Sequence, residues 1–362
     1  MPQPSTAAVS LDENDRQLLR ELQTAVPLAP RPFAVLGAQL GLSEDAVLER
    51  VTRLKDERII RQISAIFDTG ALGYRSTLVA SAVPEDRVPV AAQVINDHPG
   101  VSHNYRRTHD FNLWWTLAVP PDEDLAAHVG ALHRRSGATA SRMLPATVRY
   151  KLGVHLDVAG DRAPDARTSP QATTGGGPAP ERADLSAAEI AHVRELQQDL
   201  PVEPAPFAAM AERLGTAERD VLERARVFLE DGTMRRFAAV LHHRRAGFGA
   251  NAMSVWRAPL ADIDAQGHRL ARFAAVSHCY RRPTYPDWPY PLFAMLHATT
   301  PEGIDEAVAA IRADTGLEEP RLLYSTEELK KVRITYFDPA FTQWARAHVR
   351  PGDTLDGPEP IA

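Results

Sequence analysis

The 362-residue chain reads as an α+β protein: two tandem copies of a winged helix-turn-helix domain followed by a ferredoxin-like βαββαβ domain, forming a pseudo-dimer. Three observations predict this class. The sequence repeats itself at an offset of 174 to 175 residues. Each repeat opens with helix signals that run into an alternating strand. Each then passes through strand and helix patterns in the order βαββαβ.

The repeat comes first, because it decides how everything else is read. Val101 to Arg107 reads VSHNYRR and Val276 to Arg282 reads VSHCYRR, alike at six of seven positions. Upstream, Pro32-Phe33 matches Pro206-Phe207, and Leu40-Gly41 matches Leu214-Gly215. The run Val47 to Arg50 matches Val221 to Arg224, and Gly73-Tyr74 pairs with Gly247-Phe248.

In the first copy, Leu11-Asp12 precedes a stretch with Leu18, Leu19 and Leu22 on one helical face. Ala34 to Leu40 predicts a second helix, ended by Gly41. Ser43 caps a third, whose stripe is Ala46, Val47, Val51 and Leu54. Ile59 to Phe67 alternates as a strand, the expected wing. Then follow a strand over Ser76 to Val83, a helix over Val88 to Asp97, and strands over Val101 to Arg106 and Phe111 to Val119. A helix over Leu125 to Arg135 and a closing strand over Val148 to Leu156 complete the pattern. The second copy repeats it from Ser254 to Phe337, with a longer excursion at Pro283 to Pro291.

These signals divide the chain into domains at 11–67 and 68–157, and again at 185–241 and 242–338. Residues 158–184 are rich in Pro, Gly, Ala and Thr and nearly devoid of bulky apolar side chains. They cannot offset their own ordering entropy, so they read as a disordered linker. Residues 339–362 read as a tail, fraying after Trp344.

One cysteine, Cys279, excludes an internal disulfide framework and any CxxC metal site. No apolar run reaches the ~20 residues of a membrane helix, and the N-terminus lacks a signal-peptide pattern. A cytoplasmic protein without membrane contact is expected. The formal net charge is −6. Ser43 to Arg58 holds four bases and five acids, and Ala217 to Asp231 holds three and five. A helix that reads a DNA groove meets a field of phosphates, so this balance disfavours DNA as the partner.

The stretches LDENDRQLLRELQ, LGLSEDAVLERVTRL and IIRQISAIFDTGALGY resemble the N-terminal half of the Lrp/AsnC family. HNYRRTHDFNLWWT and CYRRPTYPDWPYPLFAM resemble a narrower branch, the sirohaem decarboxylases of the fused NirD-NirL type. The resemblance implies loss of two acetate carboxyl groups from sirohaem, giving didecarboxysirohaem in haem d1 biosynthesis. It implies no cofactor beyond the iron of the sirohaem substrate. Other haem d1 biosynthesis proteins are the implied partners, and a homodimer of the fused chain stays open. The alternative is a DNA-binding regulator of the Lrp/AsnC type with a small-molecule or tetrapyrrole effector.

Sirohaem carries eight carboxylates around an iron-bearing ring, so its site calls for cations, apolar or aromatic walls and a proton donor. Alternation puts His103, Tyr105 and Arg107 on one face of their strand, opposite Asn104 and Arg106. The second copy gives His278, Tyr280 and Arg282 opposite Cys279 and Arg281. Arginine suits carboxylates through its bidentate fork, so Arg106, Arg107, Arg281 and Arg282 are candidate anchors. Only one of each pair need face the site; the other would make a surface ion pair.

His103, His109 and His278 are the candidate proton donors, against the blander reading of hydrogen-bonded structural histidines. His278 is alternatively an iron ligand, as is His297 on LFAMLHA. Tyr285 and Trp288, on the excursion, would stack on the macrocycle or cover the pocket, pack against the other copy, or do both. Trp114 and Trp115 divide between core and wall. Arg149, Lys151 and Lys331 on the closing strands would bind further carboxylates, although such runs are commonly solvated. His109 in one copy and the aromatic excursion in the other predict one asymmetric site.

Overall fold

A computed structural model describes residues 11–152, 184–241 and 250–355. The expected linker, apart from Asp184, lies outside the described residues. So do Gly247-Phe248, the last four residues of the expected closing strand and the end of the tail.

The first copy contains α1 (Glu13–Thr24), α2 (Pro32–Leu40), α3 (Glu44–Asp56), β1 (Ile60–Phe67), β2 (Arg75–Ala82), α4 (Val88–Asn96), β3 (Val101–Arg107), β4 (Leu113–Val119), α5 (Leu125–Ser136), β5 (Ala140–Leu144) and β6 (Val148–Leu152). The second contains α6 (Ala187–Leu196), α7 (Pro206–Leu214), α8 (Glu218–Glu230), β7 (Met234–Leu241), β8 (Ala250–Trp256), α9 (Ile263–Ala271), β9 (Val276–Arg281), β10 (Leu292–Ala298), α10 (Pro301–Thr315), β11 (Arg321–Leu323) and β12 (Ser325–Lys331). A last helix, α11 (Ala340–His348), follows. None of these helices is long and apolar enough to cross a membrane.

Two compact units result. One holds the helical domains of both copies. Asp12 and Asp15 form a capping box at the start of α1, Pro32 opens α2, and Gly41 ends it in the left-handed region at φ 68°. Ser43 caps α3 through the amide of Ala46. The expected wing takes another form: β1 pairs with β7 of the other copy rather than within a hairpin of its own. A lone strand with Ile60, Ile63, Ala65 and Phe67 buried must find a partner, and the repeat supplies one.

The other unit holds both ferredoxin-like domains as two five-stranded antiparallel sheets, ordered β12-β3-β4-β2-β5 and β11-β8-β10-β9-β6. Helices α4 and α5 cover the outer face of the first, burying Val79, Trp115 and Leu117. Helices α9 and α10 cover the second, burying Trp256, Leu270 and Leu296. Between the inner faces lies a shared core that includes Trp114, Leu144, Val255, Trp288 and Phe293.

Two expectations are corrected. The strand from Val148 does not close its own domain. Ala140–Leu144 does, pairing with β2, while β6 crosses to β9 of the other copy and β12 crosses to β3. The short ASRML segment has little apolar periodicity, which hid it. The expected tail contains α11. Phe341 and Trp344, three residues apart and so on one helical face, bury against Tyr74, His98 and His128. The Arg134 fork holds Asp353 at 2.8 Å through two bonds.

Candidate functional site

The repeated V-S-H segment forms the same irregularity twice. From Val101 to His103, β3 advances two residues while β4 advances one, so Ser102 is the extra residue of a β-bulge. From Val276 to His278 the same happens against β10, and Ser277 is extra. Neighbouring side chains on a regular strand point to opposite faces. The bulge breaks that rule locally. Ser102 Oγ lies 2.9 Å from His103 Nδ1, and Ser277 Oγ lies 2.8 Å from His278 Nδ1.

Beyond the bulge, alternation holds as expected. His103 stacks beside Tyr105 at 6.1 Å, and His278 beside Tyr280 at 6.3 Å. Arg107 lies over Tyr105 at 5.5 Å, and Arg282 over Tyr280 at 4.9 Å. Arg107 donates to the Leu323 carbonyl at 2.7 Å, and Arg282 to that of Leu144. Each guanidinium thus reaches across to the other copy. Neither has a carboxylate partner among the described residues, and both Nε atoms are buried without a hydrogen bond. Burial lowers each pKa to about 10, so both remain charged at neutral pH.

The other arginine of each pair does what the bland alternative says. Arg106 pairs with Glu85, and Arg281 lies 3.4 Å from Asp264. The same Asp264 accepts the Tyr150 hydroxyl.

The exchanged strands complete both sites. Arg149 is opposite Tyr280, and Glu328 is opposite Tyr105. Burial and the adjacent Glu328 carboxylate push the Tyr105 phenol up to about 12. Lys331 is opposite His103, where Leu152 is opposite His278. Lys331 is exposed, with Glu328 at 3.9 Å. Lys151 is corrected. It faces the Cys279 side, is buried, and donates to the Phe273 carbonyl at 2.9 Å, just past the end of α9. Lys330 does the same for α4 through Asn96 and His98. An ammonium at a helix C-terminus satisfies free carbonyls and meets the negative end of the dipole. These lysines tie the exchanged strands to helix ends of the other copy.

His109 lies in an open cleft of about 560 Å³ with Arg106, Arg107, Thr108 and Asn112. Its Nδ1 accepts the Phe111 amide at 3.0 Å, and the edge of Trp288 packs on it at 5.3 Å. Burial lowers its pKa. Trp288 is fully buried, against Phe111, Trp114 and Phe293. Tyr285 is also buried and donates to the Met143 carbonyl at 2.7 Å, while Asp287 takes the Arg142 fork. The aromatic excursion is therefore an interface between copies, and Tyr285 and Trp288 are corrected from ring-stacking groups to packing groups. Trp114 lies in the inter-sheet core and Trp115 under the helices.

His297 approaches the same serine as His278, with its Nε2 at 2.8 Å from Ser277 Oγ. The serine hydroxyl therefore engages that nitrogen of His297. Burial, then the neighbouring His297 and Lys151, brings the His278 pKa down to about 4. The buried Cys279 thiol is pushed up to about 12 and is inert.

Sequence reasoning missed two features. The bulged serines stand inside the repeated motif, but strict alternation assigns them to the opposite face. The second is a buried chain in which His98 Nε2 lies 2.8 Å from His128 Nδ1, and His128 Nε2 lies 3.1 Å from Glu123. No local pattern marks it, because 30 residues separate the histidines.

In the helical unit, Arg50 and Arg53 of α3 bond the buried Asp15 at 2.7 and 2.6 Å. Arg224 of α8 bonds Glu189 at 2.8 Å. The equivalent arginines of the two copies are thus held by the capping acids of α1 and α6.

Comparison with known proteins agrees with this arrangement. A profile described as the siroheme decarboxylase NirDL-like HTH domain matches residues 15–61 and 190–235. One described as the AsnC-like ligand binding domain matches 71–151 and 245–330. A siroheme decarboxylase from Hydrogenobacter thermophilus is 38% identical over 329 residues, 91% of this chain and 96% of that protein. The siroheme decarboxylase NirDL subunit of Paracoccus denitrificans is 35% identical over 88% of this chain and 95% of its own length. The crystal structure of the siroheme decarboxylase NirDL in co-complex with an iron-uroporphyrin III analogue superposes with a TM-score of 0.73 at 35% identity, covering 92% of this chain and 98% of that one. With its duplicated bulge, its exchanged strands and this similarity along nearly its whole length, the chain belongs to the sirohaem decarboxylase family of the NirDL type.

Proposed function

We propose that the chain removes two acetate carboxyl groups from sirohaem as carbon dioxide, a step of haem d1 biosynthesis, at the sheet edges formed by β3 with β12 and β9 with β6. The observation that carries this reading is the pair of buried guanidiniums, Arg107 and Arg282, each bonded to a carbonyl and lacking a carboxylate. A buried charge without a counterion is costly. An incoming substrate carboxylate supplies that counterion through a charge-assisted bond. The relative solved with an iron-uroporphyrin analogue supports a metallo-tetrapyrrole as the ligand class.

On this reading Arg107 and Arg282 anchor carboxylates, with Arg149 and Lys331 at the rim. Tyr105 and Tyr280 give each site an aromatic wall. In the reaction the bond between the acetate methylene and its carboxyl carbon breaks, and carbon dioxide leaves. The electron pair remains on the methylene carbon, delocalised into the macrocycle, until a proton converts it to methyl. On this reading His103, His109 and His278 are the groups that deliver it. Burial holds His278 neutral at neutral pH, and substrate carboxylates beside it raise its pKa towards the charged form.

The regulator alternative asks α3 and α8 to meet phosphates. The ion pairs of Arg50, Arg53 and Arg224 with acids of their own copies weigh against it. Purified chain incubated with sirohaem without oxygen should convert it to a species lighter by two carbon dioxide units. Unchanged sirohaem beside a salt-sensitive, sequence-selective shift of DNA would favour the regulator instead.

A further inference from the structure

We propose that Ser102 and Ser277 are positioning residues, bulged so that each hydroxyl fixes the ring and tautomer of the histidine that follows it and turns Nε2 to the substrate. The proposal rests on the decarboxylase reading for what the histidines do, and on geometry alone for what the serines do.

The geometry occurs twice, independently, within one chain. Both serines are the extra residue of a bulge at the same point of the repeat. Both are buried. Both bring Oγ within hydrogen-bond distance of Nδ1 of the next residue. A regular strand would point serine and histidine to opposite faces, so the contact exists because of the bulge. Bulges re-aim side chains and recur beside active sites. One position within the motif and one across the sheet from it have diverged. Ala118 stands in β4 where His297 stands in β10, and Asn104 stands where Cys279 does.

A hydroxyl suits this place. It carries one proton and two lone pairs, so it donates to Nδ1 when the ring is neutral and accepts from Nδ1–H when the ring is charged. The ring therefore keeps its orientation whether Nδ1 is bare or protonated, and a charged ring that gives its Nε2 proton to substrate is left as the neutral Nδ1–H form, from which the hydroxyl still accepts. A carboxylate would hold the ring charged, and an amide could not reverse its role without rotating. In the second copy Ser277 is also approached by His297 Nε2 at 2.8 Å. If His297 donates to Ser277, the serine proton has two acceptors, His278 Nδ1 at 2.8 Å and the Met295 carbonyl at 3.4 Å; the shorter bond, to His278, leaves Nε2–H of His278 towards the substrate. With Ser102 donating in the same way, both histidines rest as the Nε2–H tautomer.

The test uses the full chain with Ser102→Ala, Ser277→Ala, the double variant, and threonine at each site. Side-chain 15N spectra of the histidines report tautomer and ring order in the unliganded protein. Anaerobic decarboxylation of sirohaem reports kcat and KM separately. The unaltered protein should show His103 and His278 held as the Nε2–H form, and each alanine should release the histidine that follows it to a tautomer mixture. The double alanine should lower kcat by about ten- to a hundredfold, with KM within about twofold, and threonine should restore both readouts. Unchanged tautomers in the alanine variants overturn the proposal, and so does a double variant with normal kcat. If the unaltered chain leaves sirohaem intact, the decarboxylase reading falls. The spectra then still decide the positioning: released tautomers uphold it and unchanged ones overturn it.

Discussion

The two sheet edges share a skeleton and differ in what surrounds it. Bulged serine, histidine, tyrosine, buried arginine and a lysine that caps the partner copy's helix recur in both. Around the first set stand Glu328, Lys331 and the cleft of His109. Around the second stand Arg149, Leu152 and His297, followed by the long aromatic hairpin. The shared part is what the proposed reading assigns to meeting a carboxylate, and it includes strands that each copy lends to the other. Neither candidate site is complete in one copy alone, because β12 and β6 come from the other copy. The diverged part gives the sites different charge and different access.

The largest expected effect is on the hairpin that separates them. Trp288→Ala removes a fully buried ring from the inter-sheet core, and should lower unfolding stability by about 3–5 kcal/mol in a denaturant titration. Loss below about 1 kcal/mol would mean that the hairpin covers the core without supporting it.

Next come the guanidiniums. Arg107→Ala and Arg282→Ala should each weaken sirohaem binding, followed by absorbance, and truncating a buried group that meets a carboxylate costs about 2–5 kcal/mol, thirtyfold or more. Equal losses would mean that both edges take substrate. A loss confined to one would identify the edge in use.

A third contrast lies under α11, where the first copy has His98 and the second has Phe273. Burial holds the His98 pKa well below 6.5, with His128 and Lys330 adding to it. The unfolded chain therefore takes up its proton first as pH falls. Stability from this group is full above about pH 6.5 and declines below it until the folded pKa is passed. Tm should fall on acidification through pH 6, and His98→Phe should flatten that limb.

The smallest effect is at the rim. Arg149→Glu should weaken binding and Glu328→Arg should strengthen it, each by about three- to tenfold and less at high salt. Equal affinities in all three proteins would remove electrostatics as a difference between the edges.

Much of this was legible in the sequence because it is local. The capping residues Asp12 and Ser43, the helix-ending Gly41 and the alternation His103, Tyr105, Arg107 follow from short-range rules. What was hidden is non-local. Val148 has the pattern of a closing strand, and nothing nearby says that its partner is β9. Lys151 looks like a free cation until the exchange lays it against the end of α9. Trp288 looks like a ring-stacking group until the two sheets close on it. The bulges at Ser102 and Ser277 were missed although their residues were in view, because the period-two rule has no place for an extra residue. The histidine pair His98 and His128 needed the tertiary fold to appear at all.

The central claim is that two guanidiniums, lent across the copies, present sirohaem carboxylates for removal. Its most direct measurement is the product mass after anaerobic incubation of sirohaem with the unaltered chain and with the Arg107→Ala/Arg282→Ala double variant. The account predicts loss of two carbon dioxide units with the first and intact sirohaem with the second. Intact sirohaem with both, or the same double loss with both, would contradict it.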